Sequence, residues 1–387
     1  MSRTVKHFSL HRISGVHPEH GKGTELRVVA DVEEGVLSLI EVETAVIRGY
    51  TRQEHWPHHW VTLFILEDLQ PLVRQLRLGA NSSSVTPSGP SLGHPADIGE
   101  ALIEGQYPAP EEGADLNHRP VVNIYDLADL AGCNIFINRR AMVAEGYWDD
   151  PLAIQGLLAH EHAHPLAENE TTRASRRLKF EISDLGFQIE KISGPGFQIR
   201  NLGPKITSLL TFLAMKLCLY APRELFANEI TIRDGFAEAL SHLDLRNVDN
   251  ASRSVAGREG LSRQLQQEVT QGSLTPAAAD LLLLIGDLNG YLDLALEVAP
   301  FYRTGRFADG RALEATLEAA VFPRLDPLVP RTFTALRDQY IALGDSLSPA
   351  ELINWTTDVL DALFKDIAEK SLNLLYRLWM DEERETR

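Results

Sequence analysis

Near the N-terminus, apolar residues either alternate with polar ones or run together over short stretches, a pattern typical of β-strands. Residues 25–32 and 36–42 follow this pattern, and the Glu-Glu-Gly sequence at 33–35 between them has the composition of a turn. Residues 60–78 are predicted to be helical, with an interruption at Pro71. Residues 1–78 are therefore predicted to form a β-rich N-terminal region.

Residues 79–120 lack this regularity and are rich in Gly, Pro, Ser and Asp. Such a composition is typical of an exposed loop or linker, and we prefer a plain linker to a mobile cover over a site. Regular structure is predicted to return with a strand at 121–125, a short helix at 126–131 and a strand at 133–138. Further on, a repeated Gly-Phe-Gln-Ile sequence within 186–199 predicts a β-hairpin.

From about Leu202 onward, leucine and other apolar residues recur at spacings of three and four, which is the periodicity of amphipathic helices. The predicted helices cover 209–220, 224–240, 261–271, 277–296, 313–321 and 349–380. We therefore predict an α+β fold, in which residues 121–245 form a mixed core and residues 246–387 form a largely all-α C-terminal domain.

Composition and charge narrow the range of partners. The chain has 387 residues, enough for a large core and for two or three domains, and its net charge of −17 argues against nucleic acid or an anionic membrane as a main partner. The N-terminus lacks the apolar stretch of a secretory signal, and the longest apolar run, at 206–221, is interrupted by Lys216 and too short to span a bilayer. We expect a cytoplasmic protein whose two cysteines, Cys133 and Cys218, are reduced core residues.

The most informative pattern is the sequence His-Glu-His-Ala-His at 160–164, which reads H-E-x-x-H. On a helix, His160 and His164 share a face and can present two imidazole nitrogens to one metal ion. Glu161 is placed to act as a carboxylate base on the same side. Two neutral nitrogen ligands, a third ligand from elsewhere and a carboxylate base form the arrangement that a zinc hydrolase needs.

The flanking residues predict a buried helix that carries this motif. Asp150 has the character of an N-cap and Pro151 suits the first helical turn. His162 points to the opposite helix face, where we interpret it as a histidine hydrogen-bonded behind the site. Pro165 disfavours helical geometry at His164 and is predicted to end or kink the helix there.

Three glutamates are candidates for the third metal ligand. Glu168 and Glu170 lie close to the motif, whereas Glu224 follows about 60 residues later at the start of a predicted helix. Glu224 and Asn228 are separated by one helical turn, so both can face the motif helix. One would then bind zinc, and the other would accept a hydrogen bond from a ligand histidine and fix its tautomer.

The H-E-x-x-H sequence followed by Glu-Leu-Phe-Ala-Asn at 224–228 resembles the gluzincin class of zinc metallopeptidases. The resemblance implies a zincin-like catalytic domain at 121–245, with Zn²⁺ bound by His160, His164 and Glu224 and with Glu161 as the general base. It places Asn228 where that class usually has an aspartate that orients the first histidine, so this chain departs from the pattern. The class also leads us to expect an edge strand upstream of the motif helix, although an interior strand is equally compatible with the sequence.

Other clusters give weaker signals. The histidine-rich segment 55–60 is interrupted by Pro57, and we interpret it as an aromatic-rich turn and not as a metal site. Tyr220, Arg223 and His242 are candidate donors to a developing oxyanion, although ordinary packing or surface roles suit them better. No serine-hydrolase or nucleotide-binding motif is present.

The predicted function is a zinc-dependent peptidase that acts on a peptide or protein substrate. Two alternatives remain open. One is a regulatory or binding protein that keeps the H-E-x-x-H scaffold without catalysis, which the Asn228 departure favours. The other is a metal-dependent hydrolase of non-peptide amides.

Overall fold

The computed structural model describes residues 6–13, 24–51, 56–69, 119–126, 129–184, 202–370 and 374–381. These residues form two compact units. The first contains the described residues up to Ala167 together with Phe226–Arg246, and the second contains Glu168–Leu225 and the described residues from Asn247 onward.

The first unit is built on a five-stranded sheet. Its strands are β1 (Lys6–Ile13), β2 (Thr24–Ala30), β3 (Trp60–Leu66), β4 (Val121–Asp126) and β5 (Asp129–Asn138). Their spatial order is β1-β2-β3-β5-β4, in which β2, β3 and β5 are parallel while β1 and β4 pair antiparallel with their neighbours. Parallel strands are normally covered on both faces, which explains the nearly continuous apolar sequence of β3.

Three helices of the first unit lie between Val36 and Ala163. They are α1 (Val36–Tyr50), α2 (Arg139–Ala144) and α3 (Pro151–Ala163), and α3 continues into a 3-10 turn at His164–Ala167. The motif helix α3 packs against α1 and β4. The buried Tyr50 hydroxyl of α1 donates a hydrogen bond to the Ala159 carbonyl of α3 at 2.8 Å, which fixes these two helices side by side.

The remaining elements follow in chain order: α4 (Glu170–Ser175), β6 (Leu178–Asp184), α5 (Leu202–Met215), α6 (Ala221–Thr231), α7 (Ala237–Thr270), α8 (Pro276–Tyr291), α9 (Ala295–Arg303), α10 (Phe307–Ala320), α11 (Leu328–Ala342), α12 (Pro349–Glu369) and β7 (Leu374–Met380). In the second unit β6 and β7 form an antiparallel pair. Short π-helical segments, Lys216–Tyr220 and Ile232–Phe236, stand on either side of α6.

The predicted α+β class, with an N-terminal sheet and a largely helical C-terminal half, is confirmed. Several predicted helices of that half are found at nearly the predicted positions. Within the ranges that the structure describes, no helix combines the length and the apolar character that crossing a bilayer requires.

Three predictions in the N-terminal part are wrong. Residues 36–42 belong to helix α1 and not to a strand, whereas residues 60–66 form strand β3 and not a helix. The short helix predicted at 126–131 is also wrong, because β4 extends to Asp126 and residues 129–131 are already part of β5. Strand 133–138 is confirmed within β5.

The structure differs from the predictions in two respects near the C-terminus. The helix predicted at 349–380 ends at Glu369, and residues 374–380 form strand β7 instead. Helix α11 was not predicted. Residues 79–118 of the predicted linker at 79–120, and the predicted hairpin at 186–199, lie outside the described residues.

Gly156 lets the motif helix approach α7 closely. A Cβ atom at this position would lie 2.5 Å from the Ala239 carbonyl oxygen, and backbone atoms cannot move aside as a flexible side chain can. We therefore expect Gly156→Ala to destabilise the protein by about 1–3 kcal/mol, because overpacking outweighs the better helix propensity of alanine. Thermal unfolding measures this effect.

Gly260 provides the matched control, since it lies within α7 and a Cβ there would meet no atom within 4 Å. Gly260→Ala is expected to raise stability by roughly 0.5–1 kcal/mol. Equal changes in the melting temperatures of the two variants would contradict the close approach of α3 to α7.

Candidate metal centre

The start of the motif helix is held by several charged groups. The Asp150 carboxylate accepts a hydrogen bond from the Ala153 amide at 3.2 Å, which confirms it as the N-cap, and Pro151 occupies the first turn. The other oxygen of the Asp150 carboxylate accepts hydrogen bonds from His242 Nε2 at 2.8 Å and Arg246 Nε at 3.0 Å. Burial acts to raise the pKa of Asp150, but these hydrogen bonds outweigh it and hold the pKa below its usual value.

At the other end of α3, the two motif histidines lie on one face. Their ring centroids are 4.5 Å apart and the rings are nearly perpendicular, at 77°. The α-helix ends at Ala163, as Pro165 predicts. His164 nevertheless keeps right-handed helical geometry (φ −54°, ψ −47°), so the predicted departure from helical geometry at this residue is wrong. The one-turn relation between His160 and His164 is preserved as a result.

Asn228 of α6 determines which nitrogen of His160 faces outward. The His160 Nδ1 atom lies 2.6 Å from Asn228 Oδ1, so Nδ1–H donates and the amide oxygen accepts. The lone pair is then on Nε2, so Nε2 is the nitrogen that can bind a metal. Asn228 is buried, and through this hydrogen bond it orients His160 as the sequence predicts.

Glu224 lies one turn before Asn228 on the same continuous helix α6. Residues four apart on a helix share a face, so Glu224 lies on the face of α6 from which Asn228 contacts His160. One ligand atom each from His160, His164 and Glu224 lie within 4.8 Å of one another. The three predicted ligands are thus brought together.

The π-helical segments on either side of α6 are relevant to this position. Each inserts an extra residue into the helical turn, and such segments are frequent at functional sites. The second contains Gly235, whose φ of 100° lies in the left-handed region and kinks the chain before α7.

Glu161 is buried and lies next to the two motif histidines. Its Oε2 atom is 4.0 Å from His164 Nε2, and the side chain is 10% exposed. Its backbone carbonyl would normally pair with the amide of residue 165, but Pro165 has no N–H. The Asn123 side chain of β4 donates to this carbonyl at 2.8 Å, which satisfies it and ties the edge of the sheet to the motif.

The two nearer glutamates have other positions. Glu168 forms a two-point ion pair with Arg176, at 2.5 and 2.6 Å, and Glu170 is exposed at the start of α4. Among the described residues, neither belongs to the group whose ligand atoms converge with those of His160 and His164.

Two of the other candidate donors can be described individually. His242 is engaged with Asp150, as described above, and Tyr220 is 38% exposed. The sequence favours an ordinary packing or surface role for each of these residues. For His242 the structure shows a different role, because its contact with Asp150 supports the N-terminus of α3.

Two buried polar residues near the motif were not found from the sequence. One is Asn123, whose place in an apolar strand gave no sign of a contact with the motif helix. The other is Asp244 of α7, which is 2% exposed and interacts electrostatically with His160. Burial raises the pKa of Asp244 well above its usual value, and His160 acts in the opposite direction. An acidic residue between two leucines of a helix was the only available signal for it.

His162 lies on the opposite face of α3 and is fully buried, as predicted. Its Nε2 atom is 2.8 Å from the Glu43 carboxylate of α1. Glu43 was missed because residues 36–42 were predicted to be a strand.

Comparisons of the chain with models of known protein families, with curated proteins and with solved structures give no match. The function is therefore inferred from the geometry of the residues described above.

Replacing Asn228 is expected to weaken metal binding without removing a ligand. Asn228→Ala takes away the acceptor for His160 Nδ1–H, and loss of such a support typically lowers metal affinity 10–100-fold. Asn228→Asp is expected to bind zinc at least as tightly as the unaltered protein, because it keeps the acceptor and adds a negative charge. Competition with a chromophoric chelator measures both affinities, and an unchanged affinity in Asn228→Ala would show that the hydrogen bond does not support a metal ligand.

Proposed function

We propose that the protein is a zinc-dependent peptidase. The observation that carries this proposal is the convergence of ligand atoms from His160, His164 and Glu224 within 4.8 Å of one another, beside the carboxylate of Glu161. Two imidazoles and a carboxylate bind zinc well, whereas calcium and magnesium prefer sites made of oxygen atoms alone.

The structure offers a specific test of how well these residues fit a zinc ion. A catalytic zinc site takes three protein ligands, leaves one position open, and usually has hydrogen bonds that orient the ligand histidines. His160 has such a bond, from its Nδ1–H to the amide oxygen of Asn228. The donor set and its support therefore fit zinc.

When bound, zinc supplies a Lewis acid that polarises the substrate carbonyl and lowers the pKa of a water molecule to about 7. Glu161 accepts the proton of the attacking water and passes it to the leaving amine. Its burial supports this role, because few water molecules compete for the carboxylate. The Asn123 hydrogen bond holds the backbone of Glu161 in position while the proton moves.

Strand β4 favours a peptide over other amides as the substrate. Within the described part of the chain β4 pairs only with β5, so it forms an edge of the sheet, and it packs against α3. An extended peptide can add to such an edge through backbone hydrogen bonds, with its scissile bond near the motif. The strand directly upstream of α2 and α3 is β5, which is an interior strand. The expectation of an edge strand at that position, which came from the resemblance to gluzincins, is therefore wrong.

Removing and restoring the metal tests the proposal. The full chain is incubated with a peptide mixture of diverse sequence, and cleavage is followed by mass spectrometry. We expect cleavage to stop after treatment with a chelator and to return with zinc at one equivalent per site. A protein that binds zinc at His160 and His164 but cleaves no peptide would contradict the peptidase and support the binding-protein alternative.

A further inference from the structure

The first unit contains a second group of side chains with the chemistry of metal ligands, on the face of α3 that points away from His160 and His164. It consists of His58, Cys133 and His162, which we call the thiol–imidazole cluster. All three residues are 0% exposed. One ligand atom from each lies within 4.8 Å of those of the other two. The cluster joins the segment before β3, strand β5 and helix α3, which are distant from one another in the sequence.

Hydrogen bonds fix the orientation of both imidazole rings. His58 Nδ1 lies 2.6 Å from the Leu130 carbonyl and donates to it, and His162 Nε2 lies 2.8 Å from Glu43 Oε1. The remaining nitrogens are His58 Nε2 and His162 Nδ1. Both are buried, and neither has a hydrogen-bond partner within the part of the chain that the structure describes. A buried polar atom left without a partner is destabilising, so two of them in one cluster require an explanation.

The negative charge of the Glu43 carboxylate is a second reason to infer a bound cation. Glu43 is also 0% exposed, and its Oε2 atom has no hydrogen-bond partner among the described residues. A carboxylate that accepts a hydrogen bond from the far nitrogen of a histidine is the usual support of a histidine bound to a metal. A divalent cation would balance one thiolate and this one carboxylate, so that the buried group as a whole would be neutral.

The surroundings of the cluster are rigid and largely apolar. The Trp56 ring contacts both histidines, with centroids 4.8 Å from His58 and 5.1 Å from His162. The Thr24 hydroxyl donates to the His58 carbonyl at 2.9 Å and holds this segment against β2. Both imidazoles are therefore held in place before any ion binds.

We propose that the thiol–imidazole cluster binds a thiophilic transition-metal ion, zinc or copper, through Cys133 Sγ, His58 Nε2 and His162 Nδ1. A thiolate with two imidazoles is the donor set that these ions share. The Cys133 thiol gives up its proton to solvent as the ion binds, so the S–H bond is replaced by a sulfur–metal bond without any change of oxidation state. The site is structural, because it lies in the core between α1, α3 and the sheet. It does not depend on the proposed peptidase activity.

Cobalt substitution tests this site apart from the first one. Cobalt(II) bound to a thiolate gives an intense charge-transfer absorption in the near ultraviolet, and the His160, His164 and Glu224 group contains no sulfur. The full chain loaded with Co²⁺ is expected to show this absorption. Cys218→Ser is the matched control, since Cys218 is the only other cysteine and is also buried. We expect Cys218→Ser to keep the absorption and Cys133→Ser to lose it.

Metal analysis of the purified protein provides the second measurement and distinguishes zinc from copper. The metal content of Cys133→Ser is expected to fall by one ion per chain, whether or not the other group binds zinc. His58→Gln retains the thiol and is expected to weaken the absorption, which keeps the test usable if Cys133→Ser does not fold. An unaltered chain without the absorption, or a Cys133→Ser protein that retains it, would show that the cluster is a metal-free polar core.

Discussion

Glu161→Gln is expected to bind zinc as the unaltered protein does and to lose peptide hydrolysis by about 10²–10⁴-fold, the usual contribution of a general base. The amide has nearly the shape of the carboxylate but cannot accept a proton from the attacking water. Glu161 contributes no ligand atom to the His160, His164 and Glu224 group, so the metal content should not change. Initial rates on a cleaved peptide, together with metal analysis, measure the two quantities separately.

Glu170→Gln is the control, because Glu170 is exposed at the start of α4 and lies outside the converging group. The rate of peptide hydrolysis by Glu170→Gln should equal that of the unaltered protein. If Glu161→Gln hydrolysed the peptide at an unchanged rate, the mechanism proposed for Glu161 would be wrong even if zinc is bound.

His160→Ala is expected to remove one zinc ion per chain and all detectable peptide hydrolysis. The variant loses a ligand and leaves the Asn228 amide without the imidazole N–H that it now accepts at 2.6 Å. Two remaining ligands do not form the three-ligand set of a catalytic zinc site. Metal analysis after dialysis and the peptide assay measure the two losses.

His242→Ala is the matched control for zinc binding. His242 also belongs to the first unit and is bound to a carboxylate, Asp150, but among the described residues it is not part of a group with converging ligand atoms. Its replacement should lower stability and leave the zinc content unchanged. Retention of the full metal content in His160→Ala would contradict the assignment of this histidine as a ligand.

The parts of the site that could be predicted from the sequence are those set by helical register. His160 and His164 are four residues apart on one helix, and Glu224 and Asn228 are four apart on another, so each pair shares a face whatever the rest of the fold is. The caps also depend on neighbouring residues alone, which is why Asp150 and Pro151 define the start of α3 as predicted.

The errors arose where a short apolar segment fits both a helix and a strand. Within residues 36–42 of α1, the exposed Leu37 and the partly buried Val42 add apolar positions to the buried face, so this segment resembles a strand. Strand β3 has the opposite problem. It is a parallel interior strand with an almost continuous apolar sequence, which periodicity alone does not distinguish from a buried helix.

The thiol–imidazole cluster could not be predicted because its members come together only through the fold. His58, Cys133 and His162 are far apart in the sequence, and their contact depends on how β3 and β5 pair and on how α3 packs against the sheet. The same holds for Glu43, whose role requires α1 to be a helix beside α3.

The central claim is that one zinc ion is bound by both motif histidines and Glu224. An anomalous difference map at the zinc absorption edge, from a crystal of the full chain grown with zinc, tests it most directly. We predict a peak about 2.0–2.1 Å from His160 Nε2 and from a His164 nitrogen, and about 2.0–2.2 Å from a Glu224 carboxylate oxygen. A map with no peak within coordinating distance of His160 and His164 would contradict the claim.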